Sequence, residues 1–130
     1  MSYDIVFFGG TGDLTWRKLM PALFQAYCHG ALPEPCRILA VARNPFNSDN
    51  YKLWLKSKFD SLEWQDAYSL DQLNGFLDKV TYCEADLLNQ DAYSKVKDWV
   101  ASSDAQSITM YLATSPELFA GICKGLAGLT

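Results

Sequence analysis

The chain has one histidine, no cluster of basic residues and no two cysteines close enough in sequence to share a metal. Each gap removes a class of function. Basic residues are scattered and the formal charge is −4, so there is no electrostatic footprint for nucleic acid or for an anionic membrane surface, and neither is expected as a partner. Cys28, Cys36, Cys83 and Cys123 form no C-x-x-C pair, which gives neither zinc-ligand spacing nor a disulfide framework; buried reduced thiols and no metal site are expected. No apolar run is long enough to cross a bilayer, and the N-terminus enters a strand at once, without a basic segment and an apolar stretch ending in small residues. The expected location is the cytoplasm.

What the chain does have is apolar substance, 49% of 130 residues, which supports the core of one ordinary domain spanning 1–130. Tyr3 to Phe8 is an apolar strand that runs into Gly9-Gly-Thr-Gly12, and this glycine turn opens directly into a helix. Such a junction is a phosphate cradle. With little or no side chain in the way, backbone N–H groups approach a pyrophosphate at the positive end of the new helix.

Strand and helix then alternate to the end of the sequence. Asp13 to His29 carries Leu14, Leu19, Leu23, Phe24 and Tyr27 at helical spacing, with Gly30 as a stop and a kink or restart expected at Pro21. Pro33 and Pro35 mark a loop, and Arg37 to Ala42 is the second strand, ended by Arg43-Asn44-Pro45. Helices are expected over Asp49 to Phe59, with Asp49 as a possible N-cap, and over Ser69 to Leu77. Val80 to Ala85 is the third strand, a helix follows around Asp91 to Ser102, and Ile108 to Ala113 is the fourth strand. A last helix begins at Ser115 as cap and Pro116 as first helical residue, burying Leu118, Phe119, Ile122 and Leu126. The predicted fold class is α/β: a doubly wound, Rossmann-like parallel sheet in strand order 3-2-1-4. Its crevice, at the switch point between strands 1 and 4, gathers the Gly9 turn, Arg43, Asp86 and Ala113 to Ser115.

Several residues there have a chemical and a plainer reading. Arg43 ends the second strand, where enzymes that use NAD commonly place an acid on the ribose; a guanidinium there instead suits a 2′-phosphate and favours NADP, although a solvated arginine is common at strand ends. Asp86 either accepts from the adenine amine or caps the helix after it. Thr114 and Ser115 could line the path to the nicotinamide, and capping alone explains Ser115. Asp13 would repel phosphate if it pointed inward, so bonds to backbone N–H groups of the turn are expected of it. Thr15 stands where a third small residue would ease packing of helix on strand. Lys18 is placed to reach over the cleft toward a substrate phosphate, or is simply solvated. His29, beside Gly30 at a helix end distant from the cleft, reads as a cation near the negative helix terminus. No general base is visible, and no catalytic residue is assigned.

The run Gly9-Gly-Thr-Gly-Asp-Leu-Thr-Trp-Arg-Lys-Leu-Met-Pro-Ala-Leu closely resembles the opening of glucose-6-phosphate dehydrogenases, roughly G-A/G-S/T-G-D-L-A-K-R-K-L-x-P-A-L. Ala40-Val-Ala-Arg43 and Tyr111-Leu-Ala-Thr-Ser-Pro116-Glu-Leu-Phe119, which is similar to the family's Y-L-A-x-x-P-x-x-F, agree in order and spacing. The resemblance implies that Gly9, Gly10, Thr11, Gly12, Asp13 and Leu14 hold the NADP phosphates, that Arg43 binds the 2′-phosphate, and that Lys18 contributes to the substrate cleft. Asp86, Leu87, Ala113 and Thr114 complete the expected coenzyme set. It further implies oxidation of glucose 6-phosphate to 6-phosphogluconolactone in the pentose phosphate pathway, by hydride transfer to NADP, in a full-length protein that is a homo-oligomer.

Two departures qualify this. Thr15-Trp16 replace the usual Ala-Lys, which removes any role for a lysine at position 16. The family's E-K-P-F-G and R-I-D-H-Y-L-G-K segments have no counterpart up to Thr130, so the resemblance implies an N-terminal coenzyme-binding portion, truncated before the later strands and inactive alone. The alternative is a free-standing, non-enzymatic NAD(P)-binding or sensor domain related to the extended short-chain reductases. A further alternative is that a sheet missing its later strands exposes strand 4 as an edge and uncovers apolar surface, so that the chain folds only as an oligomer or poorly.

Overall fold

The computed structural model describes residues 3–32, 35–64, 67–89, 92–102, 107–114 and 116–126. Four apolar runs form parallel strands, β1 (Tyr3–Phe8), β2 (Cys36–Ala42), β3 (Val80–Glu84) and β4 (Ser107–Leu112), in the order β3-β2-β1-β4. This is the expected order, and each boundary falls within one residue of the sequence reading. β1 pairs along its whole length with β2 on one side and β4 on the other, so Val6, Phe7 and Phe8 are fully buried.

Side chains alternate across the sheet, and each face has its own helices. Ile5, Phe7, Ile38 and Ala40 pack under α1 (Met20–Cys28), α2 (Ser48–Asp60) and α3 (Leu70–Leu77) through Phe24, Leu55, Phe59 and Phe76. Val6, Phe8, Leu39 and Val41 pack under α4 (Tyr93–Ala101) and α5 (Phe119–Gly125) through Tyr93, Val96 and Ile122. Right-handed crossovers dictate this division: stepping from β1 out to β3 keeps the helices on one face, and returning past β1 to β4 moves them to the other. The result is a doubly wound, Rossmann-like sheet.

Local chemistry sets the helix ends. Asn47, rather than Asp49, caps α2, its side chain accepting from the Asn50 N–H at 2.8 Å, while Asp49 sits in the first turn, where its charge suits the helix dipole. Ser69 and Gln72 form a reciprocal capping box on α3. Asp13 and Leu14 open the first helix, but Thr15–Leu19 then widens into a π-turn in which the Met20 N–H donates to the Thr15 carbonyl, five residues back. The irregularity expected at Pro21 therefore lies just before it. Pro116–Leu118 is a 3-10 turn, and α5 starts only at Phe119; the cap expected at Ser115 and the helix start expected at Asp91 fall outside the described residues. The expectation of buried thiols holds only for Cys36. Cys28 and Cys83 are half-buried and Cys123 is exposed, because it lies on the outer side of α5.

Candidate functional site

The carboxyl ends of β1, β2 and β4 meet around the glycine turn. Gly9 has φ +92°, and a Cβ on it would overlap the Ala113 carbonyl oxygen, so only glycine lets β1 turn this close to the end of β4. The Gly9 and Gly10 N–H groups both donate to the Val41 carbonyl, at 2.9 and 3.0 Å, and the Gly12 N–H donates to the Gly9 carbonyl at 2.9 Å. The amides of the three glycines are thus spent on holding the turn. The N–H groups left for a ligand are those of Thr11 and of Asp13 and Leu14 at the helix opening, where helix geometry supplies no intrahelical partner.

Side chains brace the turn from three directions. Thr15 is wholly buried and its hydroxyl donates to the Gly9 carbonyl at 2.9 Å, so the branched residue is a tie rather than a tight fit. Tyr51, on α2 and also wholly buried, donates to the Gly10 carbonyl at 2.7 Å. The Thr11 hydroxyl donates to Asn44 Oδ1 at 2.8 Å, and Tyr82 donates to the Asn44 carbonyl at 2.6 Å. Burial holds the Tyr51 phenol far above its ordinary range, with Tyr82 adding to the shift, and burial followed by the Glu84 charge pushes Tyr82 up to about 12. Both stay protonated and act as donors.

Above the turn lies a cavity of about 470 Å³, within the range of small-ligand sites. Of the residues expected from sequence, it gathers Gly9, Thr11, Gly12, Arg43, Asp86, Leu87, Ala113 and Thr114. Arg43 is exposed at its rim and makes no ion pair among the described residues. Asp86 does not cap α4; its Oδ1 accepts from the Leu88 N–H at 3.0 Å, closing a local turn that presents Leu87 and Leu88 to the cavity. Tyr93 fixes the same wall by donating to the Leu87 carbonyl at 2.9 Å.

The remaining expected residues are not among those that line the cavity. Gly10 sits behind the turn, where a Cβ would come within 2.8 Å of the Ala40 Cβ. Asp13 and Leu14 are exposed and do not line the cavity, and Asp13 accepts from Trp16 Nε1 at 3.2 Å rather than from turn amides. Lys18 lines a separate groove with Arg17, Gln25, Glu63 and Trp64 and is not among the residues lining this cavity. In place of a lysine at position 16, the Trp16 ring holds the Arg17 and Lys58 cations at 4.8 and 4.9 Å from its centroid. Sequence reasoning missed Ala42, Asn44, Leu88, Glu117 and Leu118 as lining residues. No group of three metal-ligating side chains occurs among the described residues, and no helix among them is long and apolar enough to cross a membrane.

The family model described as glucose-6-phosphate dehydrogenase, NAD binding domain, matches residues 6–129. The chain belongs to this family. Glucose-6-phosphate 1-dehydrogenase of Zymomonas mobilis is 31% identical over 127 residues, and that of Mycolicibacterium smegmatis is 34% identical over 127 residues; the match covers 96% and 95% of this chain. In each case it covers 26% of the relative, so the chain spans about a quarter of the length of these glucose-6-phosphate dehydrogenases. Among solved structures, the Mycobacterium avium enzyme superposes with a TM-score of 0.83 at 23% identity, over 98% of this chain and 27% of that one. A glucose-6-phosphate dehydrogenase in complex with its substrate glucose-6-phosphate superposes with a TM-score of 0.79 at 25% identity, over 95% and 26%. The glycine turn that decides the shape of the cleft is thus part of a glucose-6-phosphate dehydrogenase coenzyme domain. Its features fit a dinucleotide: a turn that admits no Cβ at Gly9, amides without a main-chain partner at the helix opening, and a cavity above them at the ends of the strands.

Proposed function

We propose that residues 1–130 form the coenzyme-binding portion of a glucose-6-phosphate 1-dehydrogenase and that the coenzyme is NADP. In this reading the amides of Thr11, Asp13 and Leu14 hold the diphosphate, Leu87 and Leu88 flank the adenosine half, and Ala113 and Thr114 border the nicotinamide half. The coenzyme supplies the hydride acceptor. Within the whole protein, glucose 6-phosphate would be oxidised to 6-phosphogluconolactone, which belongs to the pentose phosphate pathway, in a cytoplasmic homo-oligomer. His29 caps the C-terminal end of α1, opposite the end that meets the turn, so the proton-accepting base is not assigned to it.

Arg43 carries the choice of NADP. It stands at the end of β2 on the cavity rim, exposed and in no ion pair among the described residues, and a guanidinium engages a phosphate with two parallel hydrogen bonds. Titration of the chain with NADP and with NAD, followed by tryptophan fluorescence, tests this. NADP is expected to bind more tightly, and Arg43→Ala is expected to weaken it by about tenfold or more while changing NAD little. A preference for NAD, or an Arg43→Ala variant that binds NADP unchanged, refutes the assignment.

A further inference from the structure

We propose that Tyr51 is a positioning residue for the coenzyme's diphosphate: by holding the Gly10 carbonyl from below, its hydroxyl aims the Thr11 amide into the cleft. This rests on the dinucleotide reading above.

The Gly10 carbonyl and the Thr11 N–H belong to one planar trans peptide and point in opposite directions. Tyr51 bonds that carbonyl from within the core, where its ring lies against Phe46, Trp54 and Tyr82. The N–H at the other end of the same plane therefore faces away from the core, on the side where Thr11 lines the cavity. Among the described residues the Thr11 amide has no main-chain partner. It is a donor presented to a ligand.

Such a peptide needs holding. A glycine before it leaves its plane free to rotate, since Gly10 has no Cβ to restrict the backbone. Tyr51 removes that freedom at one end, and Asn44 restrains the other by accepting from the Thr11 hydroxyl. The two restraints are joined beneath the turn, because Tyr82, which bonds the Asn44 carbonyl, stacks on Tyr51 with ring centroids 4.8 Å apart and planes 18° apart. A flip of the peptide would strand the Tyr51 hydroxyl in a place closed to water, where an unmade hydrogen bond is costly.

Tyr51→Phe removes the donor and keeps the stacked ring. The experiment compares NADP with adenosine 2′-monophosphate, which carries the 2′-phosphate but no diphosphate. For the unmutated chain, binding of both is expected. For Y51F, the NADP dissociation constant is expected to rise about fivefold to tenfold, the equivalent of one hydrogen bond, with that of adenosine 2′-monophosphate unchanged. A merely structural tyrosine would lower Tm and leave both constants alone, and that result overturns the inference. Equal weakening of both ligands also overturns it. The unmutated chain provides a second measurement that does not depend on the variant folding: the Thr11 amide resonance should move with NADP and stay still with adenosine 2′-monophosphate, and an amide unmoved by bound NADP again overturns the proposal. If the unmutated chain binds neither ligand, the dinucleotide reading itself fails and the inference falls with it.

Discussion

Arg37 and Asp4, directly opposed in the β2–β1 register, meet through two hydrogen bonds, Nε to Oδ1 at 3.0 Å and Nη2 to Oδ2 at 2.7 Å. Asp4 is almost wholly buried, while the guanidinium also lies 3.9 Å from the centroid of the Trp99 ring and bonds the Trp99 carbonyl and the Ser102 hydroxyl. The pair sits at the end of the sheet opposite the cleft. Removing the arginine leaves a buried carboxylate without its principal partner, so Arg37→Ala should cost about 3 kcal/mol. A shift in the urea midpoint measures this, and coenzyme affinity should not change.

Gly9→Ala should be worse than an ordinary loop substitution. It combines a backbone at φ +92° with a methyl group pressed on the Ala113 carbonyl. Strain of this kind costs about 1–3 kcal/mol for the conformation alone. Urea unfolding should register at least that much, and fluorescence titration should show coenzyme binding lost, because β1 and β4 must separate to make room.

Thr15→Val keeps the shape and deletes the hydroxyl that reaches the Gly9 carbonyl. That carbonyl retains the Gly12 N–H, so the loss should be limited to about 1 kcal/mol. Thermal unfolding of Thr15→Val beside Thr15→Ser separates the bond from the methyl contact; the serine variant should keep the bond.

Alkali should unfold the protein through its buried phenols. A tyrosine whose folded pKa is raised contributes stability that is complete below its unfolded value, near 10, and is lost as pH rises through the folded value. For Tyr82 that window runs from about 10 to about 12, and Tyr51 shifts in the same direction. Absorbance at 295 nm should show phenols ionising together with the loss of structure across this window, and Tyr82→Phe should reduce the loss of stability there.

The strands and their order were readable from sequence because apolar runs bounded by glycine, proline and asparagine leave few alternatives, as Arg37 to Ala42 before Arg43-Asn44-Pro45 illustrates. The convergence of the Gly9 turn with Arg43, Asp86 and Ala113 followed from that order. The bracing was not readable. A tyrosine on an amphipathic helix or an apolar strand looks like core, and Tyr51 and Tyr82 are core; only their hydroxyls reach toward the site. Nothing in the sequence reveals that the Trp16 indole folds back onto Asp13, which accepts from it. The π-turn over Thr15–Leu19 was equally hidden, because such a turn has no residue signature.

That widened turn also says where the shape of the first helix comes from. Thr15 and Met20 are both wholly buried although five positions apart, and in a regular α-helix such residues would diverge by about 140°. Both ends are clamped, one by a carbonyl of the glycine bend and the other by the sheet. The swelling is therefore a boundary condition imposed by tertiary structure, and relieving the proline alone should not iron it out: in Pro21→Ala the Met20 amide should keep its five-residue bond, visible as unchanged protection from hydrogen exchange. Length, at this point of the chain, is dictated by the distance between two anchors.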